Sequence, residues 1–340
     1  MVPGIIGFMH RYSLDTFSAH WPVDWEQEFG RTGPLVMEIG FGNADFLIHQ
    51  AHSRPQTNFI GLEVSLPSLR KAESKITQAG LTNVRVLHNP ANMVLWLLVR
   101  PQSLDGITIN FPDPWPKHIL RRVVNERFLH LAANRMKPGA FLDIATDHPD
   151  YIPWVIEHLE RTPYFVSRRP TTFSTQDDER FRTKYEQIAL DEGRVCHYFH
   201  WQRNEVAAAD EFPLPQEQPM PHVIVQSPLA PQDLVKQFQR QRHQQGQMFI
   251  SLDEMFQSTR TGALLVETYI HEDALTQRVG LTIHQRDGNR YIVGLHELGF
   301  PRPTPGVQLA IRSVAEWLCS LHPENQVLSH NLNPTVTQDR

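Results

Sequence analysis

Short apolar runs alternate with helix-like patterns through the first half of the chain, and this alternation restricts the possible fold more than any other feature. Ser65 is the predicted N-cap of a helix that ends at Gly80, and Val123–Met136 is a second predicted helix. Such alternation predicts βαβ units in a mainly parallel sheet with helices on both faces. The predicted strands are Pro34–Ile39, Thr57–Val64, Val84–Leu87, Gly106–Ile109 and Ala140–Ala145.

Four prolines lie between residues 206 and 221, where large apolar residues are few. Such a composition predicts a semi-rigid linker. A chain of 340 residues has room for about two domains. We therefore predict a first domain over 1–205, a linker over 206–221, a second domain over 222–330 and a flexible tail over 331–340.

The second half has a different pattern, with four strand-like runs joined by short turns. The predicted strands are 247–255, 262–270, 276–285 and 290–297, and Asp287-Gly288-Asn289 is a hairpin signal. A polar helix is predicted over Pro231–Gln244, and a final helix over Val307–Leu321. This pattern predicts a smaller α+β domain built on a meander, and it contains no catalytic motif.

Charge and cysteine content narrow the functional class. The formal net charge is −5, of which −4 lies in residues 206–340. A nearly neutral first domain can still carry a local basic surface for nucleic acid. The two cysteines, Cys196 and Cys319, form no disulfide framework and indicate a cytoplasmic protein. No apolar run reaches the ~18 residues of a membrane helix, and no basic segment precedes the apolar N-terminus as in a signal peptide.

A glycine loop, Glu38-Ile39-Gly40-Phe41-Gly42-Asn43-Ala44, follows the first predicted strand. Glycines there let the backbone approach a ligand at the carboxyl edge of the sheet. The carboxylate of Glu38 suits a pyrophosphate poorly, whereas the sulfonium and amino groups of S-adenosylmethionine suit it well. A plain strand-to-helix turn is the alternative, because glycine motifs of this kind are weakly specific.

Glu63 ends the second predicted strand, 21 residues beyond Gly42. An acidic residue at about this distance can accept hydrogen bonds from both ribose hydroxyls of a nucleoside cofactor. Glu63 and the glycine loop thus support each other, although they do not separate S-adenosylmethionine from a nicotinamide dinucleotide. An exposed glutamate at a strand end is the alternative.

The segment from Asn110 to Lys117, with the sequence Asn-Phe-Pro-Asp-Pro-Trp-Pro-Lys, is the sharpest motif. Three prolines fix φ at alternate positions, so the loop should hold Asp113 and Trp115 in fixed directions. A carboxylate can accept two N–H bonds from a guanine edge, an indole can stack on a base, and Lys117 can reach a phosphate. A proline-rich surface turn is the alternative.

Residues 117–137 and 161–184 are each rich in lysine and arginine, which predicts phosphate contacts or, alternatively, solvated helix faces. Asp147 follows the fifth predicted strand, where it could share base recognition with Asp113. The segment Thr183-Lys184-Tyr185-Glu186 follows the second basic segment. The 18 histidines show no metal-ligand spacing, and we predict no metal site.

Together these motifs resemble the bacterial tRNA (guanine-N7-)-methyltransferase family. The resemblance runs from about Leu35 to about Trp201 and rests mainly on Phe111–Trp115 and Thr183–Glu186. It implies a Rossmann-like class I methyltransferase sheet with S-adenosylmethionine as the cofactor. It also implies methylation of a guanosine in the variable loop of tRNA.

The resemblance further implies roles for individual residues. Asp113 matches the active-site acid. Glu38, Glu63 and Asp113 match cofactor contacts of the family. With the glycine loop and a substitute for the adenine contact, the expected cofactor-binding residues are Glu38, Gly40, Gly42, Glu63, Asn92 and Asp113. The expected tRNA-binding residues are Lys117, Asp147, Thr183, Lys184, Tyr185 and Glu186.

Three departures from the family pattern affect these expectations. Pro90 stands where the family has Asp or Asn to hold the adenine, so Asn92 or Asn89 must substitute. The basic run after Lys117 is two residues shorter than usual. The second domain lies outside the common family chain, and it could shape the tRNA cleft or serve as a dimerisation or stability module.

Guanine N7 carries a free lone pair at neutral pH, so methyl transfer to it requires no general base. We therefore expect Asp113 to orient the guanine and stabilise the developing cation. The alternatives are a methyltransferase acting on other RNA, DNA or protein, and a non-catalytic RNA-binding protein with the same fold. A nicotinamide dehydrogenase fits Glu38 and Ala44 less well. The sequence leaves monomer and homodimer open.

Overall fold

The computed structural model describes residues 12–14, 20–211, 220–246, 248–272, 275–296 and 303–333. The chain falls into two compact units, residues 1–214 and 215–340. Most of the predicted linker, 212–219, and most of the predicted tail, 334–340, lie outside the described residues. No helix in the described part of the chain is long and apolar enough to cross a membrane.

A seven-stranded sheet forms the centre of the first unit, with strand order β3-β2-β1-β4-β5-β7-β6. Strands β1 to β5 are parallel, and β7 runs antiparallel to β5 and β6. The predicted fold class, a Rossmann-like and mainly parallel sheet accompanied by helices, is confirmed. The strands are β1 (Leu35–Ile39), β2 (Asn58–Leu62), β3 (Val84–Leu87), β4 (Leu104–Asn110), β5 (Met136–Thr146), β6 (Phe165–Ser167) and β7 (His197–Arg203).

Seven α-helices of the described residues accompany this sheet. Ser65 caps the third, its hydroxyl accepting a hydrogen bond from the amide of Ser68, and Asn125 caps the fifth through the amide of Phe128. The helices are α1 (Trp25–Phe29), α2 (Asp45–Ser53), α3 (Leu66–Gln78), α4 (Ala91–Leu97), α5 (Glu126–Arg135), α6 (Tyr151–Arg161) and α7 (Lys184–Asp191). A 3-10 turn spans Ile119–Arg121.

Both faces of the sheet are buried, which explains the nearly continuous apolar runs in the sequence. Val36 and Phe59, which are paired across β1 and β2, lie in one cluster with residues of α2 and α3. The next residues along these strands, Met37 and Ile60, point to the opposite face because side chains alternate along a strand. Both are fully buried, so helices cover that face as well.

The fifth strand begins earlier than predicted, at Met136 instead of Ala140. Lys137 precedes Pro138, and a residue before proline is disfavoured in the helical region. Helix α5 therefore ends at Arg135, and Met136 pairs with Leu104 of β4. Helix α2 was not predicted, and its N-cap, Ala44, has no side chain that could signal a helix start.

In its described residues, the second unit has a seven-stranded antiparallel sheet with order β14-β8-β13-β12-β11-β10-β9 and two helices, confirming the predicted α+β class. The apolar helix α9 packs against β8, β10, β11 and β13 of this sheet. The strands are β8 (His222–Gln226), β9 (Gln241–Gln245), β10 (Met248–Gln257), β11 (Leu264–Glu272), β12 (Leu275–Gln285), β13 (Arg290–Leu295) and β14 (Gln326–His330). The helices are α8 (Pro231–Gln237) and α9 (Pro305–Ser320).

The predicted helix Pro231–Gln244 is wrong in its second half. Helix α8 ends at Gln237, and β9 follows as a polar edge strand paired with β10. Leu234 is the one buried residue of α8, so little apolar surface favours a longer helix. The four predicted meander strands correspond to β10–β13, whereas β8 and β14 were not predicted.

Candidate active site

The predicted site residues converge on one edge of the first sheet, here called the carboxyl edge, where β1, β2, β4 and β5 end. Ile39 lies opposite Leu62 and Ile109, and Asn110 lies opposite Ala145. Strand β7 is antiparallel and begins at this edge, since His197 pairs with Thr146. Helix α7, just before β7, therefore brings a later part of the chain to the same place.

The glycine loop makes a tight turn that only small residues adopt readily. Gly40 and Gly42 have φ values of 72° and 55°, and Ala44 has a φ of 64° at the start of α2. The amide of Gly40 donates to the carbonyl of Leu62 at 2.8 Å, which holds the turn against β2. The backbone of this loop is thus fixed at the carboxyl edge.

Three backbone amides hold the carboxylate of Glu63 in place. Its Oε2 accepts from the amide of Gly42 at 2.9 Å, and its Oε1 accepts from those of Val64 and Ser65 at 2.8 and 2.9 Å. A carboxylate offers about four lone-pair positions, so one remains for a further donor. The glycine loop and Glu63 therefore form one unit, as their spacing suggested.

Glu38 is buried, with only 3% of its surface exposed. Its Oε1 accepts a hydrogen bond from Nδ2 of Asn110 at 3.2 Å, while its buried Oε2 has no partner among the described residues. Burial raises the pKa of Glu38 from 4.5 to about 7, against the lowering effects of Asn110 and Arg180. A cationic donor placed against Oε2 would favour the ionised form.

Asn92 presents a second acceptor of this kind. It lies in the first turn of α4, after Pro90, which is the N-cap of that helix. Its Oδ1 is buried and has no hydrogen-bond partner in the described part of the chain. Asn89, the other candidate, instead directs its amide to the sulfur of Met93.

The residues at the carboxyl edge fit S-adenosylmethionine. The cofactor carries N–H donors at both ends, the α-ammonium and the adenine amino group, and two ribose hydroxyls between them. Glu38 and Asn92 offer buried acceptors without partners, and Glu63 offers a fixed carboxylate. A buried acceptor without a partner is costly, so its presence indicates a site for a donor.

The loop from Phe111 to Lys117, here called the Pro-Trp loop, is rigid, and its backbone is strained. Phe111 and Trp115 have φ values of 49° and 41°, a region that bulky residues rarely adopt. Buried Arg122 stabilises the loop, since its Nε donates to the carbonyl of Pro114 at 2.7 Å. Asp113 is exposed and makes no hydrogen bond with the described residues.

The basic segments supply fewer surface charges than the sequence suggested. In residues 117–137, Arg122 and Arg135 are buried, and Lys137 pairs with Asp105 at 2.8 Å. Lys117, the last residue of the Pro-Trp loop, and Arg121 remain exposed, and the Arg121 guanidinium lies 5.0 Å from the centre of the Trp115 ring. The buried arginines bond to backbone carbonyls, so they stabilise the fold and leave no cation for phosphate.

Asp147 follows β5 at the carboxyl edge, as predicted, and is mostly buried. It pairs with Arg194, which precedes β7 and also contacts Glu192. Any substrate group that binds Asp147 must therefore compete with or displace this arginine.

The four residues Thr183 to Glu186 divide into a buried pair and an exposed pair. Thr183 caps α7, and Thr183 and Glu186 form a reciprocal capping box. Lys184 and Tyr185 are exposed. A Cβ atom added to Gly42 would lie 3.7 Å from Cε2 of Tyr185, so the tyrosine ring lies beside the glycine loop.

The structure adds two residues to which the sequence gave no role, Asn110 and Arg180. Asn110 donates to Glu38 and accepts a hydrogen bond from Nη2 of Arg180. Arg180 is buried and also donates to Glu186 at 3.2 Å. The position of Asn110 at the end of a buried strand was a usable signal, whereas nothing local distinguished Arg180 from its exposed neighbours.

In the described part of the molecule, no group of three or more His, Cys, Asp or Glu side chains could hold a metal ion. The site is instead built from carboxylates, amides and backbone groups.

Replacing Glu38 with glutamine should stabilise the first unit at high pH. The folded protein holds a proton on Glu38 between its ordinary pKa of 4.5 and about 7, so stability falls as pH rises through that window. Glu38→Gln removes this loss and should add roughly 3 kcal/mol at pH 8, while wild type and variant should agree near pH 4.

Tryptophan fluorescence during unfolding measures this effect, because six of the seven tryptophans lie in residues 1–214. Glu157→Gln, which alters an exposed carboxylate on α6, is the matched control and should show no such gain. An equal stability difference between wild type and Glu38→Gln at pH 4 and pH 8 would contradict the assignment.

Comparison with known proteins agrees with this geometry. A family model described as a putative methyltransferase matches residues 32–198. A tRNA (guanine-N(7)-)-methyltransferase of Thermus thermophilus is 34% identical over 302 residues, covering 88% of this chain and 93% of its own length. One of Deinococcus radiodurans is 31% identical over 291 residues, covering 84% of this chain and 89% of its own. Both alignments are longer than the first unit and so extend into the second.

Among solved structures, an antibiotic-related methyltransferase covers 53% of this chain and 92% of its own, with 18% identity and a TM-score of 0.42. A Streptococcus thermophilus rRNA methylase covers 51% of this chain and 88% of its own, with 11% identity and a TM-score of 0.36. The family is established by the two long alignments. The chain belongs to the tRNA (guanine-N7-)-methyltransferase family.

Proposed function

We propose that the protein transfers a methyl group from S-adenosylmethionine to N7 of a guanosine in the variable loop of tRNA. One observation carries this proposal: the exposed carboxylate of Asp113, on a loop whose backbone Arg122 contacts, stands at the same sheet edge as the buried acceptors Glu38 and Asn92. The activity named for the two long-aligned relatives supports the same conclusion.

Each residue at the edge has a distinct task. S-adenosylmethionine supplies an electrophilic methyl group on a sulfonium. Glu38 would hold its ammonium end, Glu63 one of its ribose hydroxyls and Asn92 its adenine amino group. The small residues at Gly40 and Gly42 let the backbone approach it closely. These assignments use acceptors that the fold already holds in place.

Asp113 acts on the guanine and not on a proton. Because N7 carries a free lone pair at neutral pH, methyl transfer requires orientation of the base and stabilisation of the charge that develops on it. A carboxylate can do both by accepting N–H bonds from the guanine edge. The strained backbone and the Arg122 contact keep Asp113 from reorganising during the reaction.

The exposed residues around this edge suit RNA. Lys117 and Arg121 lie beside Trp115, and Lys184 and Tyr185 lie at the start of α7. Cations contact phosphates, and aromatic rings stack on unpaired bases. The few exposed cations predict modest binding that weakens as the salt concentration rises.

We also propose the domain division 1–205, 206–221, 222–330 and 331–340, with a methyltransferase domain first and an accessory domain third. The two compact units, 1–214 and 215–340, support a boundary in this region. The accessory domain would either shape the tRNA cleft or stabilise the molecule. A cytoplasmic location remains a prediction from cysteine content.

Purified protein should methylate unmodified tRNA transcripts at one guanosine of the variable loop. The modified position can be mapped by chain cleavage at 7-methylguanosine, using radioactive methyl donor to count the groups transferred. A transcript with adenosine at that position is the matched control. Methylation elsewhere in the RNA, or of protein or DNA instead, would contradict the proposal, as would binding of tRNA without any transfer.

Asp113→Asn should reduce kcat by about 100-fold, because it removes the charge that stabilises the developing cation. S-adenosylmethionine binding, measured by calorimetry, should remain detectable. The wild-type kcat at saturating cofactor should stay flat from pH 5 to 8. A kcat that rises with a midpoint near neutrality would instead indicate a general base.

Arg122→Lys should lower kcat by about 10-fold while leaving the cofactor Kd nearly unchanged. Arg122 uses two separate nitrogens, Nε and Nη1, to contact the carbonyls of Pro114 and Asp150 at 2.7 and 3.2 Å, and the single nitrogen of a lysine does not match both donor positions. The exposed Arg100 offers the matched control Arg100→Lys, which should behave as wild type. Unchanged kcat in Arg122→Lys would show that the loop needs no such support.

A further inference from the structure

The guanidinium group of Arg180 is almost completely buried, although it carries a positive charge. Its side chain is only 7% exposed, and it lies between β6 and α7 in the chain. Burying a guanidinium is costly unless its donors are bonded and its charge is balanced. The contacts that compensate this burial come from four separate segments of the fold.

Two aromatic rings flank the guanidinium. Its carbon lies 4.9 Å from the ring centre of Phe46 on α2 and 5.6 Å from that of Tyr198 on β7. The next residue, Phe181, stacks on His49 at 4.3 Å between ring centres. These contacts fix the segment before α7 against α2 and so limit the positions open to Arg180.

The donors of Arg180 connect the two halves of the site. On one side, Nη2 donates to Oδ1 of Asn110, which leaves Nδ2 of Asn110 to donate to Glu38 at 3.2 Å. On the other side, Nε donates at 3.2 Å to Oε2 of Glu186. The same Oε2 accepts from the amide of Thr183 at 3.3 Å.

We propose that Arg180 is a positioning residue that couples the cofactor end of the site to the tRNA end. It sets the orientation of the Asn110 amide toward Glu38, and it sets the position of the α7 N-terminus that presents Lys184 and Tyr185. Arg180 touches neither substrate itself. The inference rests on the proposed function, which assigns those two ends to the cofactor and to tRNA.

The positive charge of Arg180 and the planar, forked shape of its guanidinium group affect the site in two separable ways. Its positive charge lowers the pKa of Glu38, while burial and the nearby Glu63 raise it. The fork geometry allows simultaneous bonds to Asn110 and Glu186, which a single ammonium cannot reproduce. A lysine at this position should therefore still lower the pKa of Glu38. It should lose much of the simultaneous bonding to Asn110 and Glu186.

Two variants, Arg180→Gln and Arg180→Lys, test the proposal in the full-length chain. Calorimetric titration with S-adenosylmethionine across pH 5.5 to 8.5 gives the pH midpoint of binding, and steady-state kinetics give KM and kcat for tRNA. Thermal unfolding reports the folded fraction of each variant. Arg161→Gln, which removes an exposed arginine paired with Glu157, is the matched control.

In Arg180→Gln, the midpoint of cofactor binding should move to higher pH, and KM for tRNA should rise about 10-fold. In Arg180→Lys, the midpoint should return close to that of wild type while KM for tRNA stays raised. If Arg180 only stabilised the fold, each substitution would lower cofactor binding and methyl transfer only in proportion to the loss of folded protein. Equal midpoints in wild type and both variants, or equal behaviour of Gln and Lys, would overturn the proposal.

Failure of the proposed function is distinguishable from failure of this inference. Cofactor binding and its pH midpoint need no RNA, so they report on Arg180 even if tRNA is not the substrate. Wild type that binds S-adenosylmethionine but modifies no tRNA would refute the function alone. Wild type that methylates tRNA, with variants whose pH midpoint and tRNA KM are unchanged, would refute the coupling alone.

Discussion

The buried carboxylate of Glu38 at the end of β1 is the interaction on which the site depends. Burial raises its pKa to about 7, because the ionised carboxylate is unfavourable in this buried position. The folded chain therefore does not need this acid for its stability. Asn110 bonds one oxygen, and the other, Oε2, remains without a partner in the described residues. A stabilising substitution at such a position is expected to cost function, because we propose this unsatisfied oxygen as the group that binds the cofactor.

Backbone strain is concentrated at the same edge of the sheet. Three of the four described non-glycine residues with positive φ, namely Ala44, Phe111 and Trp115, lie there. Packing maintains this strain: Phe111 packs against a cluster formed by Ala145, Ala189, Cys196 and Tyr198. Catalysis by orientation requires groups that do not move, and this packing fixes the backbone from which the exposed Asp113 side chain extends.

Much of the first unit could be predicted from local patterns. The strands β1 to β4 and the caps of α3 follow from apolar runs and from Ser65 and Gly80, which act within a few residues. The same reasoning placed Glu38, Glu63 and Asp113 at one edge because parallel strands end together. It failed at Pro231–Gln244, where pairing with β10 makes a strand of a segment with no strand-like apolar pattern.

The burial of side chains by distant segments of the chain could not be predicted from the sequence. Arg122, Arg135 and Arg180 resemble surface cations in a basic run, yet the fold buries them against carbonyl, amide and carboxylate oxygens up to 75 positions away. Their neighbours Arg121 and Lys184 remain exposed, and no residue-level property separates the two groups. Asn110 differs, because its position at the end of a buried strand was a usable signal, although its partners Glu38 and Arg180 are distant in the sequence.

A direct measurement of the pKa of Glu38 tests the central claim most closely. Protein labelled with ¹³C at glutamate side-chain carboxyls can be titrated by NMR, with Glu38→Gln identifying the resonance. The expected midpoint is about 7 in the free protein, and saturating S-adenosylmethionine should lower it as the ammonium group occupies Oε2. A midpoint near 4.5 in the free protein, or one that the cofactor leaves unchanged, would contradict the assignment of Glu38 as the buried acceptor.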